Sequence, residues 1–454
     1  MVSEAVQADL RAIVGDSGVI SDPVRLMVYE SDGLTAYRRA PQAVVLPRST
    51  EEVQKVLRLL QRSGTPFVPR GAGTGLSGGC LAGPDTYVVG TARMNRILSI
   101  DPENRTARVQ PGVVNAHLTD ATRRHGLYYA PDPSSQSTCT LGGNVAENSG
   151  GPHCLKYGVT SRYVTGLTVA LPSGQLVELG GFGQPRDLDL VGLFVGSEGN
   201  FGIATEIETR LLPLPESVRT LLAIFDRMED AGRAVTTIIA EGLLPAALEI
   251  IDGPTIRAVE ASVFAAGYPV DAGAALVIEF DGIEAGLERE SELARRCCEE
   301  SGATDVSVAR SEEERTALWH GRKKAFGAMG RIAPDLLVQD ATVPRTRLPE
   351  VLLYPLFKPL IEDHLDHLVP GRNRYVAHPD ADTDIAELGD AAADGPAPFT
   401  VALGPERGFI DFEVQALAML GFTPVRAGQH PLRVETALAY VTGQLELMRR
   451  RARR

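Results

Sequence analysis

The stretch PRGAGTGLSGG, Pro69 to Gly79, contains Gly73-x-Gly75-x-x-Gly78, the letter spacing of the phosphate-binding turn of doubly wound dinucleotide folds. In such a fold the turn opens a helix whose N-terminus faces the pyrophosphate, and an acidic ribose ligand follows about 20 residues on. Here the turn runs into CLAGPDTYVVG, where Gly83 and Pro84 oppose a helix and TYVVG has the composition of a strand. The loop therefore links strand to strand. Its glycines at 71, 73, 75, 78 and 79 still let successive backbone N–H groups converge on an anion. Two readings follow: a phosphate cradle of another architecture, or a glycine loop with no ligand.

Working outward, STEEVQKVLRLLQRSG carries a capping box at Ser49 and Glu52, an apolar face at Val53, Val56, Leu57 and Leu60, and a closing Gly64. Strand-like runs separated by turn signals come before and after the loop: PFVP, YVVGT, TARVQPG, VTGLTVALPSG, GQLVELGG and GIATEIETRLLPLP. This is strand-rich α+β organisation without the regular alternation of a doubly wound sheet. From residue 217 to about 310 the texture changes to two strand, helix, strand units, which predicts a ferredoxin-like second domain.

The 454 residues suffice for two to four domains, and 44% hydrophobic content supports ordinary cores. Five scattered cysteines, an odd number, favour a reduced compartment, and a cytoplasmic location is expected. Neither a signal peptide nor a transmembrane segment is visible, although peripheral membrane contact stays open. A net charge of -13 argues against broad nucleic-acid binding, and the basic tail MRRRARR reads as a solvated helix end.

Two further loops change the balance at the first. APDPSSQSTCTLGGNVAENSGG, Ala130 to Gly151, combines Gly142, Gly143, Gly150 and Gly151 with Ser, Thr and Asn donors and acceptors, and VGSEGNFGIAT ends in Gly202 and Ile203 before a strand. Three such loops imply one extended polar ligand. With these strings, and with ALWHGRKKAFGAMGRIAPDLLVQDATVPRTRLPEVL, residues 1–347 resemble the flavoprotein family of the glycolate oxidase D subunit and the D-lactate or D-2-hydroxyacid dehydrogenases. The resemblance implies a two-subdomain FAD-binding domain of the vanillyl-alcohol-oxidase or PCMH type over 1–216 (core about 38–216) and a truncated, ferredoxin-like cap over 217–347. It also implies FAD as cofactor. Arg70, Gly71, Ala72, Gly73, Thr74, Gly75, Leu76, Ser77, Gly78 and Gly79 would cradle the pyrophosphate. Pro131, Asp132, Ser135, Gly142, Gly143, Asn144 and Asn148 would line the flavin, with Tyr157, Gly158, Glu198, Gly202 and Ile203 completing the pocket.

The chemistry so implied is oxidation of a 2-hydroxy acid, glycolate or D-lactate in type, by hydride transfer to flavin, with electrons passed to a separate acceptor. Arg322 matches the family arginine that clamps the substrate carboxylate, a task that suits a planar guanidinium; a surface arginine on a basic helix end is the alternative. His117 and His125 are expected on a partly exposed helix. His153 either touches the isoalloxazine or has a structural role, and Cys139 and Cys154 read as packing residues.

Relatives of this family carry a metal-binding H-x-G-D-G-N-x-H segment and a terminal E-H-G motif, and neither string occurs here. His364 and His367 have i, i+3 spacing beside Asp363 and Asp366, a pattern that could mimic a metal pair but that better fits a solvated helical face, and no metal site is expected. From Leu348 the strings LPEVLLYPLFKPLIEDHL, YVAHPDA, TVALGPERGFIDFEVQALAMLGFTPVRAG and LRVETALAYVTGQLELMRRR follow. With them, residues 348–454 resemble the C-terminal half of the RNA methyltransferases that modify a uracil of 16S ribosomal RNA, an α/β fragment of a knotted SPOUT fold. By that likeness S-adenosylmethionine would lie against Gly404, Pro405, Glu406, Leu432, Arg433 and Glu435. Arg407 stands where the family has glycine, and the RNA-binding domain has no counterpart, so nucleic acid is not expected as a partner. RTRLPEVL, Arg345 to Leu352, fits both halves and marks a junction. Besides the flavin enzyme, a methyltransferase fragment and a non-enzymatic flavin scaffold that dimerises through its C-terminal segment stay in view.

Overall fold

The computed structural model describes residues 2–33, 37–181, 188–332, 373–377, 399–402, 411–419 and 422–425. The chain divides into two units, one of residues 1–75 and 79–337, the other of 338–454 together with 76–78.

The first unit begins with α1 (Val2–Val14), β1 (Val19–Ile20), α2 (Pro23–Leu26), β2 (Ala43–Val45), α3 (Thr50–Arg62), β3 (Phe67–Arg70) and β4 (Tyr87–Gly90). Ser49 caps α3 by accepting the Glu52 amide at 3.3 Å, while Glu52 returns to the Arg48 amide at 2.7 Å rather than to Ser49. Val53, Val56, Leu57 and Leu60 are fully buried on the face expected. The strands form a sheet in the order β1-β2-β4-β3, and both β2 and β3 run parallel to β4. Two parallel neighbours need a crossover, which is ordinarily a helix. Here the glycine loop itself makes that crossover, with no helix between β3 and β4.

A second sheet, antiparallel throughout, is built from β5 (Ile97–Asp101), β6 (Thr106–Val109), β8 (Val164–Ala170), β9 (Leu176–Gly180) and β10 (Ile203–Arg210) in the order β5-β6-β10-β8-β9. The short β7 (Leu127–Tyr128) pairs with β11 (Leu212–Pro213). Val109, Leu167, Val169 and Ile207 of this sheet pack with Leu118 of α4 (Asn115–Arg123) and Leu141 of α5 (Leu141–Glu147). Two short helices, α6 (Cys154–Tyr157) and α7 (Leu190–Phe194), complete this part.

A third sheet follows, from β12 (Ser217–Phe225), β13 (Ala247–Asp252), β14 (Ala274–Gly282) and β15 (Ala303–Val308), antiparallel in the order β13-β14-β12-β15. Between them lie α8 (Met228–Ala240), α9 (Gly253–Glu260) and α10 (Glu284–Glu300), and α11 (Glu312–Ala328) comes after. Leu221, Leu276 and Ile278 face α8 and α10, whereas Leu222 and Val277 face α9 and α11. Burial on both faces explains why AALVIEF in β14 is continuously apolar apart from one glutamate. Helix α9 lies where the sequence reading had only connecting chain. Asp252 caps it by accepting the Thr255 amide, with Pro254 in its first turn.

In the second unit β16 (Asn373–Ala377) pairs in parallel with β17 (Phe399–Ala402) and β18 (Phe422–Val425), and a helix spans Asp411–Met419. Gly404, Pro405, Glu406, Leu432, Arg433 and Glu435, the histidines 364 and 367, and the junction 345–352 lie outside the described residues. No helix among the described residues is long and apolar enough to cross a membrane.

Candidate functional site

The glycine loop closes on a buried arginine. Arg70, at the end of β3, is 6% exposed, and its guanidinium donates to the Ser31 carbonyl at 2.8 Å and lies 5.5 Å from the Tyr29 ring centroid. Gly73 has φ +73, and a Cβ there would stand 2.2 Å from Arg70 Nη2. Arg70 therefore braces the loop from beneath. Gly71 leaves no more room, since its Cβ would meet Thr140 Oγ1 at 2.7 Å and Gly143 Cα at 3.3 Å. Only glycine lets these two loops approach so closely.

Beside this contact is a cavity of about 520 Å³, lined by Gly71, Ala72, Gly112, His117, Thr138 and Thr140 among others. That volume suits a cofactor or other small molecule. His117, expected on a partly exposed helix, sits on α4 and also lines this cavity. The third loop adds strained backbone: Glu198 has φ 53, between Gly196 at φ 85 and Gly199 at φ 78. A Cβ on Gly199 would meet Pro69 Cγ at 2.6 Å, and one on Gly79 would meet Glu198 Oε2 at 2.5 Å, so this loop also closes on the first. Ser197 Oγ is buried without a hydrogen-bond partner among the described residues. A close-approach glycine cradle, a cavity of this size and an unsatisfied buried hydroxyl together fit an extended polar ligand such as FAD.

The other predicted residues divide between frame and site. Asn144 is buried and accepts from Asn115, which also donates to the Pro131 carbonyl, both at 3.0 Å. Asn148 ends α5 in the left-handed region and accepts the Ser161 amide at 2.9 Å. Gly142 packs on Pro111, Gly202 on the Ala170 carbonyl, and Ile203 is in the core. Ser135 accepts the Thr138 and Cys139 amides through its carbonyl, and Gly75 accepts that of Gly33. Gly158 follows α6 at φ +77. Thr74, Leu76, Ser77 and Gly78 continue the loop, Gly78 at φ 75.

Asp132, His153, Tyr157 and Arg322 enter a charged cluster between the loops and the third sheet. His153 places Nδ1 2.7 Å from Asp132 Oδ2 and Nε2 3.0 Å from Glu279 Oε1. Glu279, on β14, is 3% exposed and also accepts from Thr220 at 2.6 Å, Trp319 Nε1 at 2.5 Å and Arg315 at 3.3 Å. Burial opposes charge on both partners. Hydrogen bonds and the two carboxylates nonetheless raise His153 to about 9, and His153, Thr220 and Trp319 hold Glu279 down at about 2. Tyr157 donates to Asp281 Oδ2 at 2.6 Å, and Lys156 pairs with the same carboxylate. Arg322, on α11, meets Glu249 of β13 through Nε at 2.9 Å and Nη2 at 2.6 Å, and the adjacent Lys323 Nζ is 3.5 Å from Asp132 Oδ2. Burial raises Glu249 despite Arg322. Glu249, Glu279, Asp281, Trp319 and Lys323 were missed as site residues. For the three acids the one signal is a carboxylate inside an otherwise apolar strand, which must find a partner when buried; Trp319 and Lys323 lie on α11 and carry no such signal. Among the described residues no group of three or more His, Cys, Asp or Glu side chains is arranged to hold a metal ion.

Comparison with known proteins points to the same cofactor. Family models for an FAD binding domain and for the C-terminal domain of FAD linked oxidases match residues 41–180 and 214–365. One for an RNA methyltransferase domain matches 343–446, overlapping the second. Glycolate oxidase subunit GlcD of Escherichia coli (strain K12) is 47% identical over 344 residues, 76% of this chain and 69% of that protein. GlcD of Bacillus subtilis (strain 168) is 40% identical over 78% of this chain and 75% of its own length, and the D-lactate dehydrogenase of Anaerostipes hadrus 34% identical over 76% and 73%. Among solved structures, alkyldihydroxyacetonephosphate synthase superposes with a TM-score of 0.61 at 20% identity, covering 72% of this chain and 64% of that one. The corresponding values for p-cresol methylhydroxylase with substrate bound are 0.59, 18%, 72% and 71%. The chain thus spans just under two thirds of the synthase, and these two structures share its fold over the 72% of the chain that they cover.

Proposed function

Because the chain belongs to the FAD-linked oxidoreductase family of glycolate oxidase subunit GlcD and D-lactate dehydrogenase, we propose that it binds a small 2-hydroxy acid, of the glycolate or D-lactate type, for oxidation. One observation carries this reading: the helix bearing Arg322 is tied at its next residue, Lys323, to the Asp132 loop. A guanidinium suited to a carboxylate is thereby held beside a loop expected to line the flavin. When bound, FAD supplies the hydride acceptor for such chemistry. Arg322 fixes the substrate carboxylate, so that the α-carbon is presented in one orientation. His153 has both ring nitrogens committed to carboxylates and holds its proton at neutral pH, so it does not take the substrate hydroxyl proton. The family's metal-binding string is missing from the sequence, and slow turnover is therefore part of the proposal.

Purified protein is expected to be yellow, with flavin absorbance bleached slowly by D-lactate or glycolate under anaerobic conditions. A colourless protein that takes up no added FAD would sink this reading. Its partners are the hydroxy acid, an electron acceptor and, through the C-terminal segment, a second copy of the chain. The domain limits 1–216, 217–347 and 348–454 belong to the same proposal, with 217–310 read as ferredoxin-like on the strength of its strand order.

A second reading is supported by the methyltransferase match and by the parallel strands β16 to β18. In it, the C-terminal segment binds S-adenosylmethionine as half of a knotted fold. Calorimetry with S-adenosylmethionine tests it, and absence of heat removes it.

A further inference from the structure

Arg322 is held from one side only. Both of its contacts, from Nε and from Nη2, go to a single oxygen, Oε2 of Glu249, and Nη1 has no partner among the described residues. The arginine side chain is 34% exposed, whereas Glu249 is 16% exposed. Glu249 lies in the middle of β13, opposite Val277 of β14, with Ala247 and Ile251 on the same face packed into the core beneath α9 and α11. A carboxylate on a paired strand is a fixed point, and a guanidinium gripped along its Nε edge cannot rotate freely about its last side-chain bond.

We infer that Glu249 is the positioning residue for Arg322: it occupies the Nε edge of the guanidinium and leaves the Nη1–Nη2 end to receive the substrate carboxylate. This rests on the reading of Arg322 as the carboxylate clamp. Two parallel N–H donors remain at that end, the geometry in which guanidinium recognises a carboxylate. The opposite view makes Glu249 a competitor that must leave before an anion binds. The two views predict changes of opposite sign. Asp132 and His153 are the other charged groups acting on Glu249, and Lys323 adjoins the clamp.

The test titrates oxalate, an unreactive dicarboxylate probe, into the FAD-loaded full chain by calorimetry, with urea denaturation of each variant as the check on folding. Only one oxygen of Glu249 is used, so the amide oxygen of Glu249→Gln can hold Arg322 alike. That variant should bind oxalate within a few-fold of the parent, whereas Glu249→Ala should bind on the order of tenfold more weakly, as for loss of one charge-assisted contact. Unchanged or tighter binding in Glu249→Ala, or equal weakening in both variants, overturns the positioning role. Arg322→Ala separates this from the underlying reading: undiminished binding there, or none by the parent chain, overturns the clamp itself.

Discussion

At the scale of single residues, Gly73 carries the most specific demand. Its backbone is left-handed and its missing Cβ makes room for the Arg70 guanidinium. Gly73→Ala should lower stability by about 1–3 kcal/mol and reduce flavin retained through purification. The ratio of flavin to protein absorbance and a urea midpoint measure both, and a fully loaded, equally stable variant would contradict this account of the loop. The need for glycine was legible in the sequence, since a run of five in nine positions has few other uses. What supports the glycine was not. By resemblance Arg70 belongs to the pyrophosphate cradle, and only the fold shows that its guanidinium donates to the Ser31 carbonyl. The acids Glu249, Glu279 and Asp281 stand out in the sequence only as charges within apolar strands, and their roles stay hidden because their partners lie far along the chain.

At the scale of elements, α6 and β14 are joined by one carboxylate. Asp281 accepts from Tyr157 and pairs with Lys156, in a setting where its side chain is 8% exposed. Tyr157→Phe leaves Lys156 to satisfy Asp281 and should cost about 1 kcal/mol. Asp281→Ala removes the acceptor from both donors and should cost roughly two to three times as much. Urea midpoints distinguish the two, and equal losses would show that the tie does not act as described. Elements governed by local rules were readable, as at α3, where Ser49 and the spacing of Val53, Val56, Leu57 and Leu60 specify start and face. Helix α9 was not read, although its Asp252 cap and Pro254 were present, because an apolar strand runs directly into the cap with no intervening loop.

At the scale of the whole molecule, the His153–Glu279 pair makes the junction of loops and third sheet dependent on pH. His153 is raised, so its contribution is complete below the ordinary 6.5 and is lost as pH rises through about 9. Glu279 is lowered, so its contribution is complete above 4.5 and is lost as pH falls through about 2. Thermal midpoints should therefore show this pair at full strength between about 4.5 and 6.5, with a decline on either side. In His153→Gln the alkaline decline should flatten, and an unaltered alkaline limb would exclude this origin for it. The sequence by itself determined what acts over a few residues or through strings of identity: the strand-to-strand glycine loop, the α3 cap, the flavin family and the change of texture near residue 348. Tertiary structure alone decided the charged cluster. His153 is 21 residues from Asp132 and 126 from Glu279, and Arg322 is 73 from Glu249. No periodicity or spacing encodes such pairings; they exist because buried charges on separate elements must find one another once the sheets are packed.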